Sequence, residues 1–517
     1  MPTSTAGNMK ILYFAAFTPE SSNIKTRILT IANSEPPYGI TSQTIPDWPG
    51  ENDLPKLFCC GHTYLQNGKL LCAGGHRETP PPHGHFGLGL RIAYVFDPAT
   101  ETWDYLRNND LERQLMNDGR WYPTVTNLGP ITSTRKFTVV VVAGYRYELD
   151  GEMPVYNDDV EVFNPEIGWI MLNQEYPQAI MPEDFKNAEV NYPGAHLIPF
   201  DNPAFGILKG EVFYSFPLAK KWRFNPYANE VDNIFWKEMP ESQIARFSGA
   251  SVLLPLKPNN PDMKVLILGG KYDFNELPSE TVEVFNLGAT TEEEFQWIEK
   301  ATLKVPRMLI NTVILPDGKI FVLGGSQTNA RQNGITLPEL YDPEANNGLG
   351  ESKLLPCAST FTRMYHSTGI LLLDGSVLVS GGESQEAGTF ANGNRNFEIY
   401  KPPYLFDGNR PVISVSSTEM VYDTRFYVQS DIQIAEFILI KPCVPTHGFD
   451  PDQRAIYLEI IESYANGGIT YVIKGPADGF VAPPGKYMLF GVRPKSASNS
   501  GQNKIPSFGI FINLVTN

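Results

Sequence analysis

Four short segments put cysteine, tyrosine and histidine where a purely structural strand has no use for them: LFCCGH around Cys59, GRWYPT around Tyr122, RMYHS around Tyr365 and His366, and PTHGFDPDQR around His447. Thiol, phenol and imidazole groups hold metals and move protons. Taken singly, each segment reads equally well as core, because a buried tyrosine or histidine with a satisfied hydrogen bond needs no function. Hydrolytic or zinc chemistry has no motif here, since neither a Gly-x-Ser-x-Gly elbow nor a zinc-type histidine spacing occurs.

The four segments are spread through 517 residues, a length that accommodates two domains. The 57 acidic against 41 basic residues give a net charge of -16, which disfavours nucleic acid and anionic membranes as partners but is indifferent to a small neutral substrate. Only 11–17 is apolar near the start, too short for a signal peptide or a membrane span, so no export route is expected. Five cysteines do not make a disulfide framework, and an odd count leaves at least one thiol for another purpose.

Glycine and proline punctuate short apolar runs, as in a chain of many strands joined by turns. One unit recurs: a strand, a turn such as Asn67-Gly68 or Asp317-Gly318, and a very apolar strand closing on a pair of small residues. A further strand with an aromatic follows. The pairs are Gly74-Gly75, Ala143-Gly144, Gly269-Gly270, Gly324-Gly325 and Gly381-Gly382. The interval after 143 is about twice the others, which implies a degraded unit near Lys209-Gly210 and six units in all. Strands near 10–14 and 27–31 supply most of a seventh, expected to close the ring by pairing with later chain. A four-stranded sheet cannot bury both faces alone, so radial stacking follows. From Val412 on, seven alternating runs (ISVSS, RFYVQS, AEFILI, AIYLEI, ITYVIK, KYMLFGV, FGIFINL) predict a small immunoglobulin-like sandwich.

In order, Phe-Cys, Arg-x-Tyr, Arg-x-Tyr-His before Leu-x-Asp-Gly, and Thr-His before Asp-Gln-Arg resemble the galactose oxidase and glyoxal oxidase family, closer to the glyoxal oxidase branch. The resemblance runs from about Leu57 to the C-terminus and includes APPGKYMLFGV from Ala482. It implies an all-β fold: a seven-bladed kelch-type β-propeller over 1–410 followed by a β-sandwich over 411–517 that supplies one copper ligand. Position by position, it implies that Cys59 forms a thioether to the ring of Tyr122, a cofactor made by self-processing. Tyr122, Tyr365, His366 and His447 would hold one copper ion. Two imidazoles and two phenol oxygens suit tetragonal Cu(II) better than zinc. Tyr365 would take a substrate proton. The implied activity is oxidation of a small, glyoxal-like aldehyde or a primary alcohol by O2, with release of hydrogen peroxide by a monomer. The alternative is a non-catalytic kelch propeller that binds a protein or glycan. By resemblance the compartment is secreted or periplasmic.

Some positions depart from the family. No tryptophan follows Ala143-Gly144, so the shield over the radical is expected from Tyr145, Tyr147 or another loop. In NYPGAHL the sugar-contacting arginine of galactose oxidase is replaced by Tyr192-Pro193, the glyoxal oxidase pattern. Cys60 could compete with Cys59 for Tyr122 or pair with it; the Phe-Cys match favours Cys59. The stretch HRETPPPHGHFG, with His76, His83 and His85, reads as a mobile proline-rich loop, and His62 stands near Cys59 as a candidate supporting residue or a turn histidine. Cys72, Cys357 and Cys443 read as small apolar residues or free thiols.

Overall fold

The computed structural model describes residues 9–13, 26–32, 39–44, 57–78, 87–146, 154–228, 233–273, 276–329, 331–383, 396–465, 467–494 and 504–516. Within them the chain is all-β, with only a few helical turns. Between Cys60 and Tyr400 the described residues form six larger antiparallel sheets in succession, five four-stranded and the last three-stranded, with three two-stranded ribbons beside them. Their innermost strands are Cys60–Tyr64, Thr124–Asn127, Gly194–Leu197, Ala250–Leu253, Asn311–Ile314 and Ser367–Leu371. Each packs beside the next in that order. The second strands Val139–Val142 and Ile320–Leu323 are wholly buried, as expected of sheets covered on both faces. The unit inferred near Lys209-Gly210 is the sheet from Gly194–Leu197 to Trp236–Met239.

The N-terminal strands behave differently from the expectation. Among the described residues Met9–Tyr13 pairs with Arg27–Ala32 and Arg27–Ala32 with Gly39–Thr44, in a separate three-stranded sheet that takes no strand from beyond Thr44. That sheet lies between the last and the first of the six. On its middle strand Ile28 packs with Cys60, Leu70 and Tyr94, while Leu29 and Ile31 pack with Leu372 and Leu378. Successive side chains of one strand thus serve two neighbours.

Four of the six sheets carry the same ion pair, Arg120–Glu161, Arg246–Glu283, Arg307–Glu339 and Arg363–Glu398, at 3.2, 2.6, 2.5 and 2.8 Å; the first three are fully buried and in the fourth Glu398 is half-buried. Each guanidinium also donates to the carbonyl of the first small residue of a pair, at Ala143, Gly269, Gly324 and Gly381. The pairs are small because the chain passes too close for a side chain. A Cβ on Gly324 would sit 2.2 Å from the Arg363 carbonyl oxygen of the next sheet, and one on Gly74 2.4 Å from that of Arg120.

Beyond Phe397–Tyr400 two further sheets share a core that includes Phe426, Val428, Phe437, Leu439, Tyr487 and Ile512. The run AIYLEI, expected to be one strand, divides: Ala455–Leu458 joins one sheet and Ile460–Ala465 the other. This unit docks by a loop spanning 441–454. Asp452 binds Lys441 at 2.7 Å and accepts the backbone N–H of Tyr64 at 2.6 Å, and Arg454 donates to the carbonyl of Leu197. Gly448 (φ 84°) passes so close to Asn311–Ile314 that a Cβ would meet the Ile310 oxygen at 2.4 Å. Contact with several innermost strands places the loop at the centre of the ring.

Removing one partner of a buried pair leaves an uncompensated charge. Glu339→Ala, which strands Arg307, is expected to cost about 3–5 kcal/mol in urea unfolding, against less than about 0.5 kcal/mol for exposed Glu293→Ala.

Candidate metal and redox centre

The residue just before each innermost strand, or one further back, takes a left-handed backbone: Cys59 (φ 60°), Tyr122 (68°), Tyr192 (46°), Ser248 (57°), Leu309 (58°) and His366 (62°). Positive φ is uncommon for non-glycine residues and clusters at functional sites. Here it turns the chain at the entry to the strand. The turn answers the problem posed by adjacent Tyr365 and His366, whose side chains would point to opposite faces of a regular strand. Backbone hydrogen bonds tie neighbouring turns together, from Tyr122 N–H to Cys59 oxygen at 3.1 Å and from Tyr192 N–H to Tyr122 oxygen at 3.3 Å.

At the centre the Tyr122 and Tyr365 hydroxyls lie 2.7 Å apart. Cys59 Sγ and the nearest ring nitrogens of His366 and His447 all lie within 4.8 Å of one another, with Cys59 Sγ 3.9 Å from His447 Nε2. His447 comes from the docking loop, is itself in the left-handed region (φ 49°), and its Nδ1 lies 2.9 Å from Thr446 Oγ1. The five side chains singled out in the sequence are therefore neighbours. His366 Nδ1 meets a Glu383 carboxylate oxygen, while its Nε2 is buried with no hydrogen-bond partner. Such an orphaned acceptor, beside a second imidazole and two phenols in contact with each other, fits a cation.

Burial sets the electrostatics. It pushes the Cys59 thiol and the Tyr122 and Tyr365 phenols above their ordinary ranges, and the neighbouring acids reinforce the shift. Burial, then His366 and His62, holds His447 well below the usual histidine range. Thiol, phenols and the His447 imidazole are thus neutral at pH 7. A bound cation would supply the charge that ionises a phenol.

Three aromatic residues were not foreseen in this position. Trp121 lies against Tyr122 with ring centroids 4.5 Å apart, and His76 stacks on the indole at 5.6 Å. Backbone bonds to Tyr145 in both directions fix Trp121. Tyr145, expected as a shield, has its ring 6.0 Å from the indole and its hydroxyl bonded to Glu189. Tyr147, His83 and His85 fall outside the described residues. Tyr192 stacks on His447 at 4.6 Å, stands edge-on to Tyr122 at 5.3 Å, and donates to the Cys60 carbonyl. The signal available in the sequence was adjacency in Arg-Trp-Tyr and the placement of Tyr192 before an innermost strand. Cys60 packs with Leu70, Cys72 and Tyr94, its sulfur 3.9 Å from His62 Nδ1, whereas Cys59 is the thiol beside Tyr122.

Residues 208–404 match the family model described as glyoxal oxidase N-terminus, and 410–513 match the galactose oxidase-like early set domain. A galactose oxidase of Gibberella zeae is 29% identical over 450 residues, covering 84% of this chain but 58% of that protein's length. The aldehyde oxidase GLOX of Vitis pseudoreticulata is 26% identical over 493 residues, 89% of this chain and 82% of the relative. A solved structure of a fungal alcohol oxidase of the AA5 family, in complex with copper, shares the fold at 20% identity, with a TM-score of 0.66 over 99% of this chain and 95% of that one. Among the described residues no helix is long and apolar enough to cross a membrane. The matched residues thus carry, in order along the chain, a glyoxal oxidase N-terminal region and a galactose oxidase-like early set domain.

Proposed function

We propose that this protein is a copper radical oxidase, turning a small aldehyde or primary alcohol and O2 into the oxidised product and hydrogen peroxide. The observation that carries the reading is the contact of Tyr122 and Tyr365 hydroxyls at 2.7 Å beside Cys59, His366 and His447. In this reading the six sheets and the N-terminal sheet are the blades of a seven-bladed propeller over 1–410, and 411–517 is an immunoglobulin-like sandwich that lends His447.

Tyr122, Tyr365, His366 and His447 would hold the ion. Copper there supplies the capacity to take one of the two electrons that leave the donor. The protein must store the other oxidising equivalent, and a thioether from Cys59 to the Tyr122 ring does so by spreading the spin of a phenoxyl radical onto sulfur. Making that bond removes the thiol hydrogen and one ring hydrogen, two electrons and two protons in all, which O2 accepts as H2O2. During turnover Tyr365, as phenolate, takes the hydroxyl proton of the alcohol or hydrated aldehyde. The Tyr122 phenoxyl then takes a hydrogen atom from the adjacent carbon and becomes a phenol. Trp121, lying on Tyr122, covers the radical face and keeps water from it. Tyr192 holds the His447 ring by stacking.

Loading the metal-free protein with copper in air is expected to join the tryptic peptides of Cys59 and Tyr122, lighter together by two hydrogens. Tyr122→Phe leaves them separate. Free peptides in the wild type would favour a non-catalytic propeller that binds a protein or glycan. Peroxide release, measured with glyoxal, methylglyoxal, glycerol, benzyl alcohol and galactose, should favour the small aldehydes over galactose and fall to the blank rate in Tyr122→Phe. Equal rates in the variant and wild type would refute the assignment.

A further inference from the structure

Glu383 directly follows the small pair Gly381-Gly382 and has three contacts that converge on the candidate metal site. Its backbone N–H donates to the Tyr365 carbonyl at 2.9 Å. One carboxylate oxygen lies 2.5 Å from His366 Nδ1. The other accepts the Arg331 Nε–H at 2.7 Å, and the Arg331 guanidinium stands 5.9 Å from the Tyr365 ring centroid. The carboxylate is thus held at both oxygens and at its own backbone.

An ionised carboxylate only accepts hydrogen bonds, so His366 must carry its proton on Nδ1. Its Nε2 is then a bare lone pair, and it is this atom that lies buried without a partner. An imidazole whose far nitrogen is tied to a carboxylate is fixed in tautomer and ring orientation and is a more basic ligand. We propose that Glu383, anchored by Arg331, is the positioning residue that fixes His366 as the Nδ1–H tautomer with Nε2 presented to the metal. His447 has a weaker arrangement, with the hydroxyl of Thr446 beside its Nδ1. The two imidazoles are therefore unequal ligands, and His366 is the one with carboxylate support.

The proposal rests on the oxidase reading for the identity of the metal, but the tautomer can be read in the metal-free protein. Imidazole nitrogen shifts of 15N-histidine protein, with the His366 signal assigned by its loss in His366→Gln, should show the Nδ1–H form in the wild type. In Glu383→Ala that signal should move toward the Nε2–H form that free imidazole prefers. Chelator competition for Cu(II) should show binding weakened about 10- to 100-fold in Glu383→Ala. Glu383→Gln keeps an acceptor of the same size, and should retain the tautomer and recover part of the affinity. It also serves should the alanine variant not fold, which urea unfolding of each metal-free variant reveals. A wild-type His366 in the Nε2–H form overturns the proposal, and so does a Glu383→Ala protein with unchanged tautomer and copper affinity within twofold. Failure of the wild type to take up copper would count against the oxidase reading instead, and the tautomer would still decide the role of Glu383.

Discussion

The centre of this molecule depends on a backbone constraint: the chain must enter each innermost strand through a left-handed residue. The cost of positive φ at Cys59, Tyr122 and His366 is of order 1–3 kcal/mol each, and the surroundings must offset it. In four sheets a buried guanidinium does so. Arg120 and Arg363 stand two residues before Tyr122 and Tyr365, and each is fixed by a glutamate and by a carbonyl of the small pair. The arginine is thus a fixed anchor two residues before each tyrosine, with the left-handed turn on Tyr122 itself in one sheet and on His366, just past Tyr365, in the other. Arg246 and Arg307 build the same turn with Ser248 and Leu309 at its end, so the scaffold is shared and only some positions carry chemistry.

The docking loop completes the centre from outside the ring. Its anchor is polar and buried, with Asp452 shared between Lys441 and the Tyr64 backbone, and Gly448 leaves room for the chain to pass beside Ile310. Asp450, buried and close to Asp452, has its carboxyl pushed up to about 7. A raised carboxyl pKa means that the proton is lost less readily in the folded state, so the contribution of Asp450 itself to folding is fully present below the ordinary aspartate range near pH 3.9. Part of that stability is lost as pH rises toward 7. Around the loop, neutral thiol, phenols and imidazole sit in a desolvated space whose charge a metal would complete.

Much of the fold was legible because its markers are local. Turns such as Asp317-Gly318 and pairs such as Gly324-Gly325 are demanded by backbone geometry within a few residues, and they recur. The N-terminal sheet was misread because its third strand, Gly39–Thr44, is GITSQT, polar and weakly patterned, so its partners were sought later in the chain. The division of AIYLEI depends on two sheets that no local pattern separates. At the centre the five side chains came from separated motifs, whereas their supports did not. Trp121 comes from the residue before Tyr122, not from the position after a small pair where a shield was sought. Glu383 does follow a small pair, but an acidic residue after Gly-Gly has the appearance of a solvated turn until His366 and Arg331 are seen on its two oxygens.

The central claim is that Tyr122, Tyr365, His366 and His447 together enclose one copper ion, with Cys59 tied to carbon and not to metal. X-ray absorption at the copper edge of the loaded, air-oxidised protein tests this most directly. The account predicts scattering from two imidazoles and light oxygen donors with no sulfur in the first shell. A copper–sulfur shell, or a single imidazole, would contradict it.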